Sequence, residues 1–151
     1  MEPGDGGHPP DATSARILIC DDMESIRSLL RLNLELEGYQ VDEATTGQEA
    51  LDILCGEAAP PDLVTLDALM PGVDGWETVH TIRHTPRLAG LPIVMVTASV
   101  QNVDRERAVR AGVDAFVAKP FDPQRLLAII AQLLDVRRSG GERGATLESS
   151  E

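Results

Sequence analysis

The 151-residue sequence has few cysteines and few aromatic residues, and it contains no long apolar run. Its two cysteines, Cys20 and Cys55, have no metal-ligand spacing and cannot build a disulfide framework, so we interpret both as small packed residues. No stretch approaches the roughly 20 apolar residues that a transmembrane helix needs, and the N-terminus lacks the pattern of a signal peptide. We therefore expect a cytoplasmic protein with no membrane-spanning segment.

Basic residues are also scarce, because Lys+Arg 13 stand against Asp+Glu 25 and the formal net charge is −12. Proteins that bind the phosphate backbone of nucleic acids need a basic surface, so this balance argues against direct contact with nucleic acid. It favours metal cations and basic protein surfaces as partners. Twelve of the basic residues are Arg, and Lys119 is the only lysine.

The two ends of the chain differ from its middle in composition. Residues 1–15 are rich in Gly and Pro, and residues 136–151 are mostly Arg, Ser, Gly and Glu. Because such segments cannot bury apolar surface, we predict disordered tails over 1–15 and 136–151. Residues 16–135 have the length of one domain, and we predict that they fold as one.

The middle of the chain alternates between short aliphatic runs and longer helical periods. The continuous apolar runs Ile17–Cys20 and Ile93–Val96 are typical of strands that are buried on both faces. Five strands are predicted in all, each followed by a helix, at residues 17–20, 39–44, 63–66, 93–96 and 115–118. Strands joined through helices run parallel with right-handed crossovers. The pattern therefore predicts a (βα)5 chain folded as an α/β three-layer sandwich.

Polar residues collect at the predicted carboxyl ends of these strands, where parallel α/β sheets bind their ligands. The first strand is followed by Asp21 and Asp22, the third by Asp67, the fourth by Thr97 and the fifth by Lys119. Each residue alone has a structural explanation, since an Asp pair often caps a helix and a lone lysine is usually solvated. Their joint placement at successive strand ends is much harder to obtain by accident.

Three carboxylates that lie close together repel one another and need a positive partner. Ligands that are all oxygens suit Mg²⁺, which takes one or two carboxylates, keeps several waters and binds phosphate oxygens. With an ammonium and a hydroxyl nearby, the set fits a phosphoryl group attached to, or arriving at, one aspartate.

The sequence resembles the receiver domains of two-component response regulators over residues 16–135. The likeness rests on four motifs, each weak alone but specific when all four occur in order. They are Asp21-Asp22 after the first strand, the string from Asp67 to Gly75, Val96-Thr97-Ala98, and Lys119-Pro120-Phe121. The resemblance implies a flavodoxin-like fold with a five-stranded sheet of order 2-1-3-4-5.

The resemblance also implies a role for each residue of the site. Asp67 would be the phosphoacceptor, Lys119 would pair with the phosphoryl oxygens, and Thr97 would move to hydrogen-bond them. The ligands of Mg²⁺ would be Asp22, Asp67 and the backbone carbonyl of Leu69, with Asp21 acting through water.

Two further residues have implied structural roles. Phe116 would swing inward when Thr97 moves, and because it lacks a hydroxyl this coupling would be steric. Pro120 would follow a cis peptide bond that turns Lys119 back into the site, since X–Pro is the one place where the cis form costs little.

The function implied is that of a stand-alone response regulator in a phosphorelay. A sensor histidine kinase or a histidine phosphotransfer protein would supply the phosphoryl group to Asp67. Because the residues after Asp135 cannot make a DNA-binding module, the protein would signal by changing which downstream protein it binds. It would not be an enzyme with a separate substrate, since it would catalyse only its own phosphorylation and dephosphorylation.

Two other classes of function stay open as alternatives. A phosphorylation-independent interaction module with the same fold is disfavoured because the acidic pair, the threonine and the lysine are all present. A phosphatase with an aspartyl-phosphate intermediate would be expected to carry an Asp-x-Asp pair. Here Leu69 stands two residues after Asp67, so no general acid is in place.

Two leucines on the first predicted helix have two possible roles. Leu32 and Leu36 lie beside the core stripe of Ile26, Leu29 and Leu30 and widen its apolar arc. They either pack at the rim of the core or form a docking face for a kinase or phosphotransfer helix.

Overall fold

The computed structural model describes residues 15–70, 72, 74–98, 102–138 and 147–149. The strands are β1 Arg16–Cys20, β2 Gln40–Ala44, β3 Leu63–Leu66, β4 Ile93–Thr97, β5 Ala115–Ala118 and β6 Leu147–Ser149. The helices are α1 Glu24–Leu36, α2 Gly47–Leu54, α3 Gly75–Arg83, α4 Asn102–Ala111 and α5 Pro123–Arg138, with a 3-10 turn over Pro86–Leu88. Within these ranges no helix is long and apolar enough to cross a lipid bilayer.

All neighbouring strands pair in parallel, in the order β2-β1-β3-β4-β5-β6. The predicted five-stranded order 2-1-3-4-5 is confirmed, and with it the flavodoxin-like fold. The chain moves from β1 to β2 on one side and then returns to β3 on the other, so β1 and β3 are neighbours. Residues that follow these two strands must therefore meet at one edge of the sheet.

The helices cover both faces of the sheet, and each strand alternates its side chains between them. On one face, Leu18 and Met95 of the sheet pack in the same cluster as Leu54, Val79 and Ile82 of α2 and α3. On the other face the cluster combines strand residues with residues of α1 and α5, namely Ile17, Ile19, Val94, Val117, Leu30, Leu34, Leu126 and Ile130. Every residue of β3, β4 and β5 is buried, as expected for strands covered on both faces.

The predicted C-terminal tail over residues 136–151 is wrong in part. Helix α5 continues to Arg138, and Leu147–Ser149 pairs in parallel with β5 from Ala115 to Val117. The average composition of the tail does not reveal this pairing, because only three residues take part in it. Three residues are enough to form hydrogen bonds with the unpaired backbone groups at the edge of a sheet. The other residues of this tail, 139–146 and 150–151, lie outside the described ranges.

The folded domain begins at least one residue before the predicted boundary. Ala15 is buried, and its carbonyl oxygen accepts a hydrogen bond of 3.0 Å from the N–H of Gln40. The prediction of disorder for residues 1–14 concerns a segment outside the described ranges.

Helix α1 contacts the core through a narrower stripe than the sequence predicts. Leu30 and Leu34 are buried, whereas Leu29, predicted as a core residue, is exposed. Leu32 and Leu36 are 59% and 75% exposed, so they do not pack at the rim. Leu30 and Leu34 are one helical turn apart, so they lie on the same face of the helix. This single row of buried residues packs the helix against the sheet.

The interpretation of both cysteines as packed residues holds for only one of them. Cys20 is buried, and burial, with a smaller contribution from the charge of Asp21, raises the pKa of its thiol to about 12. Cys55 is exposed because it follows the last residue of α2, where the chain leaves the core.

A buried ion pair ties the C-terminal end of α3 to the segment that leads into β5. Arg83 Nη2 lies 2.9 Å from Asp114 Oδ2, and the two side chains are only 10% and 3% exposed. The same guanidinium donates to the carbonyl oxygens of Gly112, Ala89 and Leu91. Asp114 Oδ2 also accepts from the N–H of Ile93 at 2.9 Å, so the pair is well supplied with hydrogen bonds.

We predict that Asp114→Ala lowers the free energy of unfolding by about 3–5 kcal/mol, because Arg83 then lies buried without its carboxylate. The matched control is Asp42→Ala, which breaks the 3.0 Å pair with Arg16 between side chains that are 48% and 31% exposed. The control should cost at most about 1 kcal/mol. Denaturant unfolding measures both changes, and equal losses in the two variants would contradict the assignment.

Candidate functional site

Three carboxylates meet beyond the carboxyl ends of β1 and β3. Cys20 and Leu66 are paired residues at the ends of these strands, and the N–H of Asp67 donates to the carbonyl oxygen of Cys20 at 3.1 Å. Asp21 and Asp22 follow β1 directly. Carboxylate oxygens of Asp21, Asp22 and Asp67 all lie within 4.8 Å of one another, as the sequence predicts for residues at one sheet edge.

Lys119 reaches this group from the end of β5. Its Nζ donates to Asp21 Oδ2 at 2.8 Å and to Asp67 Oδ2 at 3.0 Å. The N–H of Lys119 bonds to the carbonyl oxygen of Thr97 at 2.9 Å, and the peptide bond to Pro120 is cis. Burial alone would lower the pKa of Lys119, but the hydrogen bonds and charges of Asp21 and Asp67 outweigh it and raise the pKa. The ammonium is therefore charged at neutral pH.

The three aspartates differ in exposure and in their hydrogen bonds. Asp21 is 2% exposed, and its Oδ1 accepts from the N–H of Met23 at 2.9 Å while Oδ2 faces Lys119. Asp67 is 6% exposed, and its Oδ1 accepts from the N–H of Leu69 at 3.1 Å. Asp22 is exposed. An all-oxygen donor set with one carboxylate open to solvent fits a hard divalent cation such as Mg²⁺.

The hydroxyl and the aromatic ring that the sequence assigns to the site are both inside the protein. Thr97 ends β4, is fully buried, and pairs with Ala118 of β5. Phe116 is also buried and belongs to the apolar layer under α3 and α4. Whether Phe116 changes its position when Thr97 moves stays a prediction. Met23 and Leu69, whose N–H groups bond to Asp21 and Asp67, have exposed side chains, and Ala98 after Thr97 is also exposed.

Gly75 is a residue of the site to which the sequence assigned no role. A Cβ at this position would lie 2.8 Å from Ala68 Cα and in steric overlap with the carbonyl oxygen of Asp67. Gly75 is the first residue of α3, and its N–H donates to the carbonyl oxygen of Ala68 at 3.1 Å. Asp74 caps the helix in a capping box with Glu77. In the sequence, the only indication of this role is that Asp74 and Gly75 stand together at the start of a predicted helix. Aspartate is a common helix cap, and glycine permits two backbone segments to approach closely.

Comparisons with known proteins agree with this geometry. The sequence profile of the response regulator receiver domain matches residues 17–131. The transcriptional regulatory protein ResD of Bacillus subtilis is 41% identical over 119 residues, which are 79% of this chain and 48% of ResD. The phosphate regulon transcriptional regulatory protein PhoB of Rhizobium meliloti is 39% identical over 132 residues, 87% of this chain and 56% of PhoB. The chain thus spans about half the length of these relatives.

Solved structures give the same result. The chemotaxis response regulator CheY4 of Vibrio cholerae superposes with a TM-score of 0.73 at 30% identity, over 80% of this chain and 99% of CheY4. A CheY-like receiver domain protein from Methanospirillum hungatei reaches 0.76 at 31% identity, over 85% of this chain and 99% of its own. The chain belongs to the response regulator receiver domain family, which acts in phosphorelay signalling of two-component systems.

We predict that Gly75→Ala lowers the free energy of unfolding by about 1–3 kcal/mol, because the added methyl must displace the backbone of Asp67. The amide resonances of Asp67 and Leu69 should shift in the same variant. Gly90→Ala is the matched control, since a Cβ there meets nothing within 4 Å. Unfolding curves and amide spectra of both variants measure the effect, and a Gly75→Ala protein as stable as the control would refute the close approach.

Proposed function

We propose that this domain is a phosphorylation-controlled switch in which Asp67 accepts the phosphoryl group. The observation that carries the proposal is the environment of its carboxylate at the end of β3. Asp67 Oδ2 faces the Lys119 ammonium at 3.0 Å, and carboxylate oxygens of Asp21 and Asp22 lie within 4.8 Å. A buried acid that is paired with a lysine and flanked by further oxygen ligands is suited to phosphoryl transfer.

The proposed transfer begins from a phosphohistidine on a sensor histidine kinase or a histidine phosphotransfer protein. A carboxylate oxygen of Asp67 attacks the phosphorus, the new O–P bond forms, and the N–P bond breaks with its electron pair returning to the imidazole. Lys119 keeps its charge throughout and stabilises the incoming negative oxygens by charge-assisted hydrogen bonds. The hydroxyl of Thr97 and the N–H of Ala98 are proposed as further donors to the phosphoryl group.

We assign the candidate Mg²⁺ site to Asp22, Asp67 and the backbone carbonyl of Leu69, with Asp21 acting through water. When bound, the ion supplies positive charge that offsets the carboxylates and the phosphoryl oxygens. The hydrogen bonds of Asp21 support its indirect role, because one oxygen faces Lys119 and the other accepts from Met23. Asp22 is exposed and is therefore the carboxylate most open to an ion arriving from solvent.

The output of the switch is proposed to be a changed protein-binding surface. The aspartyl phosphate carries about −1.5 to −2 charges at a buried position where the carboxylate carried −1, which is a large local perturbation. Thr97 moves toward the new oxygens and biases the surface around β4 and β5. The participation of Phe116 stays a prediction, and its ring would have to move within the core. We propose that the domain catalyses only its own phosphorylation and dephosphorylation, in the cytoplasm.

The exposed apolar side chains of α1 support a docking surface for the phosphoryl donor. Met23, Leu32 and Leu36 are all at least half exposed, and Met23 directly follows the acidic pair. A donor histidine must approach Asp67 from outside, so a helix that carries it and lies along α1 would cover Met23 at the start of α1 and reach Leu32 and Leu36 in its last two turns. The partner proposed for this surface is therefore the histidine-bearing helix of the kinase or phosphotransfer protein.

Two expectations from the sequence find no support in the relatives. ResD and PhoB are named as transcriptional regulatory proteins, and the chain matches about half of each. The expectation of no direct nucleic-acid contact is therefore not supported, and neither is the expectation that the domain acts alone.

We predict that incubation with Mg²⁺ and acetyl phosphate adds one phosphoryl group to the chain but none to Asp67→Asn. The carboxamide removes the nucleophilic oxygen anion while keeping the shape of the side chain. Asp52→Asn, an exposed carboxylate on α2, is the matched control and should be phosphorylated normally. Mass spectrometry of the intact proteins measures the outcome.

Two results would contradict the proposal. Absence of phosphorylation on the unchanged chain would favour the interaction module that does not depend on phosphate. Multiple turnover of a phosphoester would instead favour the phosphatase. Removal of Mg²⁺ with a chelator should abolish labelling of the unchanged chain and of Asp52→Asn alike.

A further inference from the structure

Two histidines lie against each other at the C-terminal end of α3, at the far end of the helix from Asp67. His80 and His84 are one helical turn apart, and their ring centroids are separated by 4.1 Å with 34° between the ring planes. Both residues are exposed. Helix α3 begins at Gly75 beside the carboxylates and ends at Arg83, so the pair is distinct from the site described above.

A hydrogen bond sets the orientation of the second ring. His84 Nδ1 lies 2.8 Å from the carbonyl oxygen of His80. Because a carbonyl oxygen only accepts, Nδ1 must carry the proton, and in the neutral ring Nε2 then carries the lone pair. A histidine that donates one ring N–H to a backbone carbonyl while its other nitrogen is a free base is arranged as metal-ligating histidines usually are.

The two arginines nearest the pair in sequence direct their guanidinium groups to other partners. Arg83, which stands between the two histidines in sequence, directs its guanidinium to Asp114 and to the carbonyls of Gly112 and Leu91. Arg87 donates to the carbonyl oxygens of Gly56 and Ala58. Both guanidinium groups are thus bound elsewhere. The negative end of the α3 dipole and a net charge of −12 add attraction for a positive ion.

We propose that His80 and His84 bind a late first-row divalent metal ion such as Ni²⁺, Cu²⁺ or Zn²⁺. Imidazole nitrogen suits these metals, whereas the oxygen ligands around Asp67 suit Mg²⁺, so the two sites differ in chemistry. Histidines at i and i+4 on one helix face can chelate one ion together. Water completes the coordination at this exposed position. The proposal does not depend on phosphorylation of Asp67.

The test is a calorimetric titration of the tag-free chain with NiCl₂ in a large excess of Mg²⁺, which keeps the carboxylate site occupied. We expect one Ni²⁺ per chain and an affinity that falls at least roughly tenfold in His80→Gln and in His84→Gln, because each loses the chelate. His8→Gln removes the third histidine and Cys55→Ser removes the exposed thiol. Both controls should bind Ni²⁺ as the unchanged chain does.

A second readout uses Trp76, the only tryptophan, which lies one turn before His80 on α3. Cu²⁺ bound at the pair would be separated from the indole by only about 5–6 Å along the helix axis and should quench its fluorescence. Quenching should persist in His8→Gln and be lost in His80→Gln. The proposal is overturned if Ni²⁺ does not bind, or if either variant of the pair binds and quenches as strongly as the controls.

Discussion

The contact of one lysine with two aspartates is the interaction on which the site depends. Strands β1 and β3 are neighbours in a parallel sheet, so the topology places the acids that follow them close together although their negative charges repel each other. Lys119 Nζ lies 2.8 Å from Asp21 and 3.0 Å from Asp67, and it makes this close approach of buried carboxylates tolerable. The same ammonium, held at the end of β5, is the group available to a phosphoryl oxygen when one arrives at Asp67.

Helix α3 links this arrangement to the rest of the fold because it is fixed at both ends. At its N-terminus, Gly75 packs against the backbone of Asp67, where no Cβ can be accommodated. At its C-terminus, Arg83 is bound to Asp114 and to the carbonyl oxygen of Gly112 ahead of β5. The helix therefore connects the loop that carries Asp67 with β5, the strand that Lys119 follows, through the buried layer that contains Val79, Ile82 and Phe116.

The features that the sequence predicts are those governed by strong local patterns. The apolar runs at Ile17–Cys20 and Ile93–Val96 predict buried strands, and parallel topology then gathers Asp21, Asp67 and Lys119 at one edge, as the structure has them. Features that depend on how one surface meets another were missed. The exposure of Leu29 depends on how α1 is rotated about its axis over the sheet. The role of Gly75 depends on a backbone contact across the loop. Strand β6 forms because it pairs with the edge of β5, which is distant from it in sequence.

The most direct test of the central contact is a double-mutant cycle between Lys119 and Asp67, measured by denaturant unfolding at neutral pH without divalent cations. Lys119→Met should destabilise the chain strongly, since it leaves buried carboxylates without their counter-charge. Adding Asp67→Asn should then restore part of the lost stability, with a coupling energy of about 1–3 kcal/mol. Purely additive effects of the two substitutions would contradict the account.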